Sequence, residues 1–236
     1  MLAPAETIPT MSEIEELLAL NPGLIGVSTG YMVGARGDWP RLAAAAEVLS
    51  DDVVELSALS AGELPGLVSF LEDVPELPFR RVSVHGPSKG WECTPEALAG
   101  QLVELPECVE GVVMHPETLG DVAAFAAVGA RLRLENMDTR KPDARTAAEL
   151  AAYFEALPRA RFCFDVAHAQ LHDPSMGLAH ELIDAFGDRL VEVHLSSIEA
   201  SGAHVPLRPE DAEAFIPVLS RCTGVPWVLE APLPPR

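Results

Sequence analysis

Short apolar or β-rich runs of about four residues recur eight times along the chain, at 24–27, 53–56, 82–85, 112–115, 132–135, 162–165, 191–194 and 227–230. Between them lie stretches with helical period. Three carry proline at a first helical position, where its fixed φ suits the opening turn: Asp38-Trp39-Pro40 before RLAAAAEVL, Thr94-Pro95-Glu96 before ALAGQLVEL, and Arg208-Pro209-Glu210 before DAEAFIPVL. Further helices are expected at 61–72, 118–127, 145–156 and 176–186, so every strand up to the seventh is followed by one helix. One strand, one helix and two short loops per unit make a parallel sheet. Eight units predict a single-domain α/β protein over residues 1–236, a closed (β/α)8 TIM barrel, with an open doubly wound sheet as the alternative. No helix follows the eighth strand. The capped amphipathic stretch from Ser12 to Leu18 is expected to replace it in the outer ring, and PLPPR ends the chain as a tail.

The polar residues that close these runs carry the chemistry. Six successive runs end on a potential metal ligand: His85 in VSVHGP, His115 in VVMHPE, Glu135 in LRLENMD, Asp165 in FCFDVAH, His194 in VEVHLSS and Glu230 in WVLEAP. Each alone is equally well a solvated loop residue, but a closed barrel brings all six strand ends to one mouth. Imidazole and carboxylate together suit Zn²⁺, Mn²⁺ or Fe²⁺, and such a set holds one ion or shares two through a bridging carboxylate. His168, three residues after Asp165, reaches the same mouth. Glu55, ending the second strand, faces it too and either binds substrate hydroxyls or caps a loop. His204 is either a further site group or a plain loop residue, and His172 and His180 read as exposed. The loop Gly86-Pro87-Ser88-Lys89-Gly90 either wraps a phosphate, with Lys89 as counter-charge, or is an ordinary β-to-α connection lacking Walker spacing.

Composition narrows the partners. With 236 residues, 48% of them hydrophobic, the chain suffices for one large core. Lys and Arg number 16 against 36 Asp and Glu, a formal net charge of −20 that disfavours nucleic acid as a partner. Cys93, Cys108, Cys163 and Cys222 are widely separated and fit reduced thiols in a cytoplasmic protein better than a disulfide framework. The N-terminus carries no basic segment leading into an apolar one, and no run approaches the roughly 18 apolar residues of a membrane span.

Taken in order, His in HGP, His in MHPE, Glu in LEN, Asp-x-x-His in FDVAH, His in VHLSS and Glu in VLEAP resemble the xylose isomerase-like TIM barrels. That superfamily contains endonuclease IV and the sugar isomerases and epimerases, and the likeness spans residues 82–230. By the endonuclease IV pattern, His85, His115 and Glu135 would hold one metal, and Glu135 would bridge to a second held by Asp165, His194 and Glu230. A third ion would use His168 and His204, but Gly202 stands where that pattern has an aspartate, and Ser196-Ser197 replaces its asparagine-aspartate pair. By the isomerase pattern, Glu135, Asp165, His194 and Glu230 would hold the metal. Glu135 and Glu230 would also move protons, and His168 would orient a substrate oxygen. The expected function is therefore a divalent-metal-dependent isomerase or epimerase of a small sugar, sugar phosphate or related hydroxy-carbonyl compound, with one or two ions. A phosphodiesterase acting on abasic DNA and a non-catalytic metal-binding barrel are the alternatives. The oligomeric state is left open.

Overall fold

A computed structural model describes residues 11–74, 76–89 and 93–234. The first ten residues, Gly90 of the Lys89 loop and the last two of the PLPPR tail lie outside that set. In chain order the elements are α1 (Met11–Ala19), β1 (Ile25–Ser28), α2 (Trp39–Glu47), β2 (Val53–Ser57), α3 (Leu64–Asp73), β3 (Arg81–His85), α4 (Pro95–Val103), β4 (Val109–Met114) and β5 (Leu132–Glu135). They continue with α5 (Ala147–Ala156), β6 (Arg161–Asp165), α6 (Val166–His172), α7 (Gly177–Phe186), β7 (Leu190–Leu195), β8 (Ser197–Ile198), β9 (His204–Val205), α8 (Pro209–Leu219) and β10 (Trp227–Leu229).

Eight strands close a parallel barrel in the order β1-β10-β7-β6-β5-β4-β3-β2, the arrangement that the alternation of runs predicts. Strand β10 seals the ring by pairing with β1 on one side and β7 on the other. Helix α1 packs against α8, so the N-terminal helix does fill the place of the missing last one. Helix starts follow local chemistry: Asp38, Thr94 and Thr146 each accept a hydrogen bond from a backbone N–H of the first turn of α2, α4 and α5.

The structure departs from expectation after β4. Instead of a helix over 118–127, three 3₁₀ segments occur, Pro116–Thr118, Val122–Ala127 and Gly129–Arg131. Gly120 and Gly129 both take left-handed φ values, 63° and 66°, which break the α-helical ladder on either side of the alanine-rich stretch. Two further elements have no counterpart in the sequence pattern, the short α6 directly after β6 and the antiparallel β8–β9 ribbon after β7. Both fold back over the barrel mouth.

Along the barrel strands the apolar positions face outward. Phe162 of β6 meets Phe154 of α5 and Phe186 of α7 at ring-centroid distances of 6.2 and 5.7 Å. Its alternating neighbours Cys163 and Asp165 therefore point to the barrel interior. The four cysteines are free thiols, and among the described residues no helix is long and apolar enough to cross a membrane. Because Phe162 is fully buried between two helices, Phe162→Ala is expected to cost about 3–5 kcal/mol of folding free energy, read as a lowered urea midpoint with an unchanged m-value.

Candidate metal centre at the barrel mouth

Glu135, the last residue of β5, is the hub of the mouth. It is 1% exposed, and its two carboxylate oxygens serve different neighbours. Oε2 lies 3.4 Å from His85 Nε2 and 3.3 Å from His115 Nε2, while Oε1 lies 3.2 Å from His168 Nδ1 and 3.6 Å from His194 Nδ1. Burial alone would raise its pKa, but the His115 and His194 charges and hydrogen bonds from His115 and His168 hold it well below the usual carboxylate range. His85 Nδ1 sits 2.9 Å from the Gly86 carbonyl, which favours a proton there and turns Nε2 to the mouth. His115 stands one residue beyond β4, not within it, at the start of the first 3₁₀ segment.

The Asp165–His168 spacing is that of a helix cap. Asp165 Oδ1 accepts from His168 N at 2.7 Å, so the first turn of α6 carries the imidazole back over the strand end. Asn136 fixes this corner from the neighbouring strand end. Its amide donates to the Asp165 carbonyl at 2.7 Å and accepts from the Asp165 N–H at 2.8 Å. Against the cost of burial, the Asp165 charge and the Glu135 hydrogen bond lift the His168 pKa to about 10.

His194 Nδ1 meets Glu230 Oε1 at 3.5 Å, and Glu230 Oε2 lies 3.2 Å from His204 Nδ1. Burial, reinforced by the Asp165 and Glu135 charges and opposed by His194, pushes the Glu230 carboxyl well above its ordinary range. The two acids are thus shifted in opposite directions. Glu55 is fully buried beneath this layer, with Oε2 3.1 Å from His194 Nε2. It orients that imidazole from below and does not line the cavity. His204 is carried over the mouth by the β8–β9 ribbon, and the Ser196 hydroxyl lies 2.8 Å from its Nδ1. Burial drops its pKa to about 4, leaving it neutral.

Above these groups opens a cavity of about 590 Å³, lined also by Tyr31, Lys89, Asp138, Arg140 and Lys141. Sequence reasoning misses Tyr31, Asn136 and Asp138. Asp138 lies three residues after Glu135, and it holds the Arg140 guanidinium through both oxygens, at 2.9 and 2.5 Å. Arg140 also donates to the Ser201 carbonyl at 2.8 Å. A Cβ at position 202 would fall inside that guanidinium, so glycine there makes room for a fixed cation next to His204. The absent aspartate at Gly202 thus has a physical counterpart in Arg140.

Four buried atoms that converge here have ionic neighbours only at 3.2–3.6 Å, none with full hydrogen-bond geometry: Glu135 Oε2, Asp165 Oδ2, His194 Nδ1 and Glu230 Oε2. Unsatisfied carboxylate and imidazole atoms in a dry interior are costly, and a divalent cation is what such a donor set fits. Two ligand groups with donor atoms within 4.8 Å of one another share Glu135: His85 with His115, and Asp165 with His194. A third comprises Asp165, His168 and His204.

No protein-family model matches the chain, and no curated protein matches it by sequence. Solved structures do. Endonuclease IV from Thermus thermophilus superposes with a TM-score of 0.54 at 20% identity, covering 89% of this chain and 93% of the other. D-psicose 3-epimerase, solved in the presence of D-fructose, gives 0.57 at 14% identity over 89% and 84%. The chain has a TIM-barrel fold. A candidate sugar phosphate isomerase/epimerase from Anabaena variabilis shares that barrel too, at TM-score 0.54 and 11% identity over 88% and 83%. At such identities the likeness is one of fold.

Within this barrel the Gly202–Arg140 contact is directly testable. Gly202→Ala, at φ 77° and against Arg140, is expected to cost about 1–3 kcal/mol, and Arg140→Ala to recover part of that loss. A double-mutant cycle by urea denaturation measures the coupling, and additive effects would show that the two residues do not compete for space.

Proposed function

We propose that the protein is a divalent-metal-dependent isomerase or epimerase of a small hydroxy-carbonyl compound such as a ketose or its phosphate. The observation that carries this reading is the pair Glu135 and Glu230. Two carboxylates reach one His194 nitrogen from separate strands, with their pKa values driven apart, and acid–base pairs are built that way. Asp165, His194, Glu135 and Glu230 would hold the cation, with Glu55 fixing His194 from below. When bound, the ion would polarise a carbonyl and its neighbouring hydroxyl and bring Glu230 into its ionised form. Glu135 and Glu230 then remove and return the proton on the carbon next to the carbonyl. His168 Nε2, 3.7 Å from Asp138 Oδ2, faces the cavity side and orients a substrate oxygen. Lys89 supplies positive charge at the rim, suited to an anionic substituent. The cavity volume is that of a small-molecule site.

His85 and His115 favour a second reading. Their Nε2 atoms both face Glu135 Oε2, away from the Asp165–His194 side, which suits a second ion and a metal-dependent phosphodiesterase on abasic DNA. Charge supports this less. Arg140 is tied to Asp138, and Lys141 donates to Glu117 Oε1 at 2.7 Å, leaving little free cation to meet a phosphate backbone.

The test is incubation of the Mn²⁺- or Zn²⁺-reconstituted protein with ketoses and ketose phosphates in D₂O. Deuterium is expected at the carbon next to the carbonyl, and Glu230→Gln is expected to lower its incorporation by about 10²–10⁴-fold while circular dichroism is unchanged. Absence of bound metal after reconstitution, or an active Glu230→Gln protein, would overturn the proposal. Metal-dependent cleavage of an abasic-site duplex at low salt would favour the second reading.

A further inference from the structure

The opposite end of the barrel carries its own polar cavity, of about 250 Å³, lined by Arg81, Arg133, Arg161, Glu110 and Val191 among others. Three guanidiniums converge there in a chain whose net charge is −20. Arg133 is 5% exposed and reaches inside the barrel to pair with Glu192, whose other oxygen takes the Ser83 hydroxyl at 3.2 Å. A Cβ at position 111 would overlap the Arg133 guanidinium, so Gly111 is what admits it. Glu110 lies 3.4 Å from Arg81 and 3.9 Å from Arg133, and no side-chain hydrogen bond or ion pair joins Arg161 to another described residue.

Two independent features of the backbone serve this cavity. The β3–β4 and β6–β7 ladders each slip by one residue, and the extra residues are Glu110 and Val191, both in the cavity wall. Bulges of this kind re-aim side chains at barrel rims. Arg133 and Arg161 are moreover register partners on adjacent strands, and Glu192 and Glu110 lie by Arg133 alone, which leaves the Arg161 charge without an anion of its own.

We propose that this closed end binds a phosphate-sized oxyanion, held by Arg81 and Arg161 at the opening and by Arg133 at its floor. Guanidinium forks match such oxyanions bidentately, and the low local dielectric at Arg133 strengthens the contact. Glu110, more than a third exposed, turns out to water to admit the ion.

Titration calorimetry of the metal-free protein with inorganic phosphate tests the site. One phosphate per chain is expected to bind, raising the melting temperature. The Arg81→Gln/Arg161→Gln double variant is expected to bind at least about tenfold more weakly and to lose the thermal shift, and Arg140→Ala at the mouth is expected to bind as the parent does. Since Arg161 faces a like charge, Arg161→Gln is expected to melt no lower than the parent without phosphate, which separates a ligand role from a structural one. No saturable binding, binding that survives the double variant, or binding lost in Arg140→Ala would each overturn the proposal.

Discussion

Carboxylates withdrawn from water dominate the interior of this barrel. Glu55, Glu135, Asp165 and Glu192 are each at most 1% exposed, and Asp138 is fully buried. An ionised carboxylate in a dry interior is tolerable only when paired, hydrogen-bonded or bound to a cation. Much of the inner surface answers that demand. Four histidines surround Glu135, Arg133 neutralises Glu192, Arg140 clasps Asp138, and Asn136 clamps the backbone of Asp165. The demand is still not fully met, because four donor atoms at the mouth make only looser ion-pair contacts of 3.2–3.6 Å, without full hydrogen-bond geometry. A divalent cation is the smallest addition that satisfies them together.

The strand pattern explains how so many polar groups fit inside. Successive residues of a strand face opposite sides, so residues two apart share a face. Ser83 and His85, Arg133 and Glu135, Cys163 and Asp165, and Glu192 and His194 are such pairs. The upper member of each forms the mouth and the lower member a second polar layer beneath it. Helix-facing positions between them are Val84, Leu134, Phe164 and Val193, all fully buried. The core of the molecule is thus the shell between strands and helices, and the barrel axis is a column of charge running from Glu135 through His194 and Glu192 to Arg133 and the closed end.

That column also accounts for what the sequence reveals and what it conceals. Strand ends are legible because six successive apolar runs halt on a polar residue, and the eightfold recurrence of such runs implies closure. The lower layer carries a weaker signal. Arg133 in LRLE and Glu192 in VEVH read as single polar interruptions, and only the paired i, i+2 positions across four strands show them to be inward. Asn136 and Asp138 follow Glu135 too closely to be told from a loop without the geometry of the next strand. The helix missing after β4 and the β8–β9 ribbon are concealed for another reason. Two left-handed glycines override the helix propensity of VAAFAA, and a two-residue strand has no periodicity to detect.

Glu135 finally ties the two functional readings to one geometry. Its Oε1 belongs to the side with His168, His194, Asp165 and Glu230, where an acid and a base face each other, and its Oε2 belongs to His85 and His115. If only the first side holds a cation, the two histidines are left to neutralise Oε2. His85 suits that role, because the Glu135 hydrogen bond and the Glu55 charge lift its pKa to about 9 against the cost of burial. A proton on His85 Nε2 and a second ion would be alternatives at Oε2, because both need the same imidazole lone pair. The fixed cation at Arg140 fills a comparable place beside His204. On both flanks of the central carboxylates, then, the chain carries positive charge of its own, so the demand for a cation is greatest between them, where Asp165 Oδ2, His194 Nδ1 and Glu230 Oε2 converge.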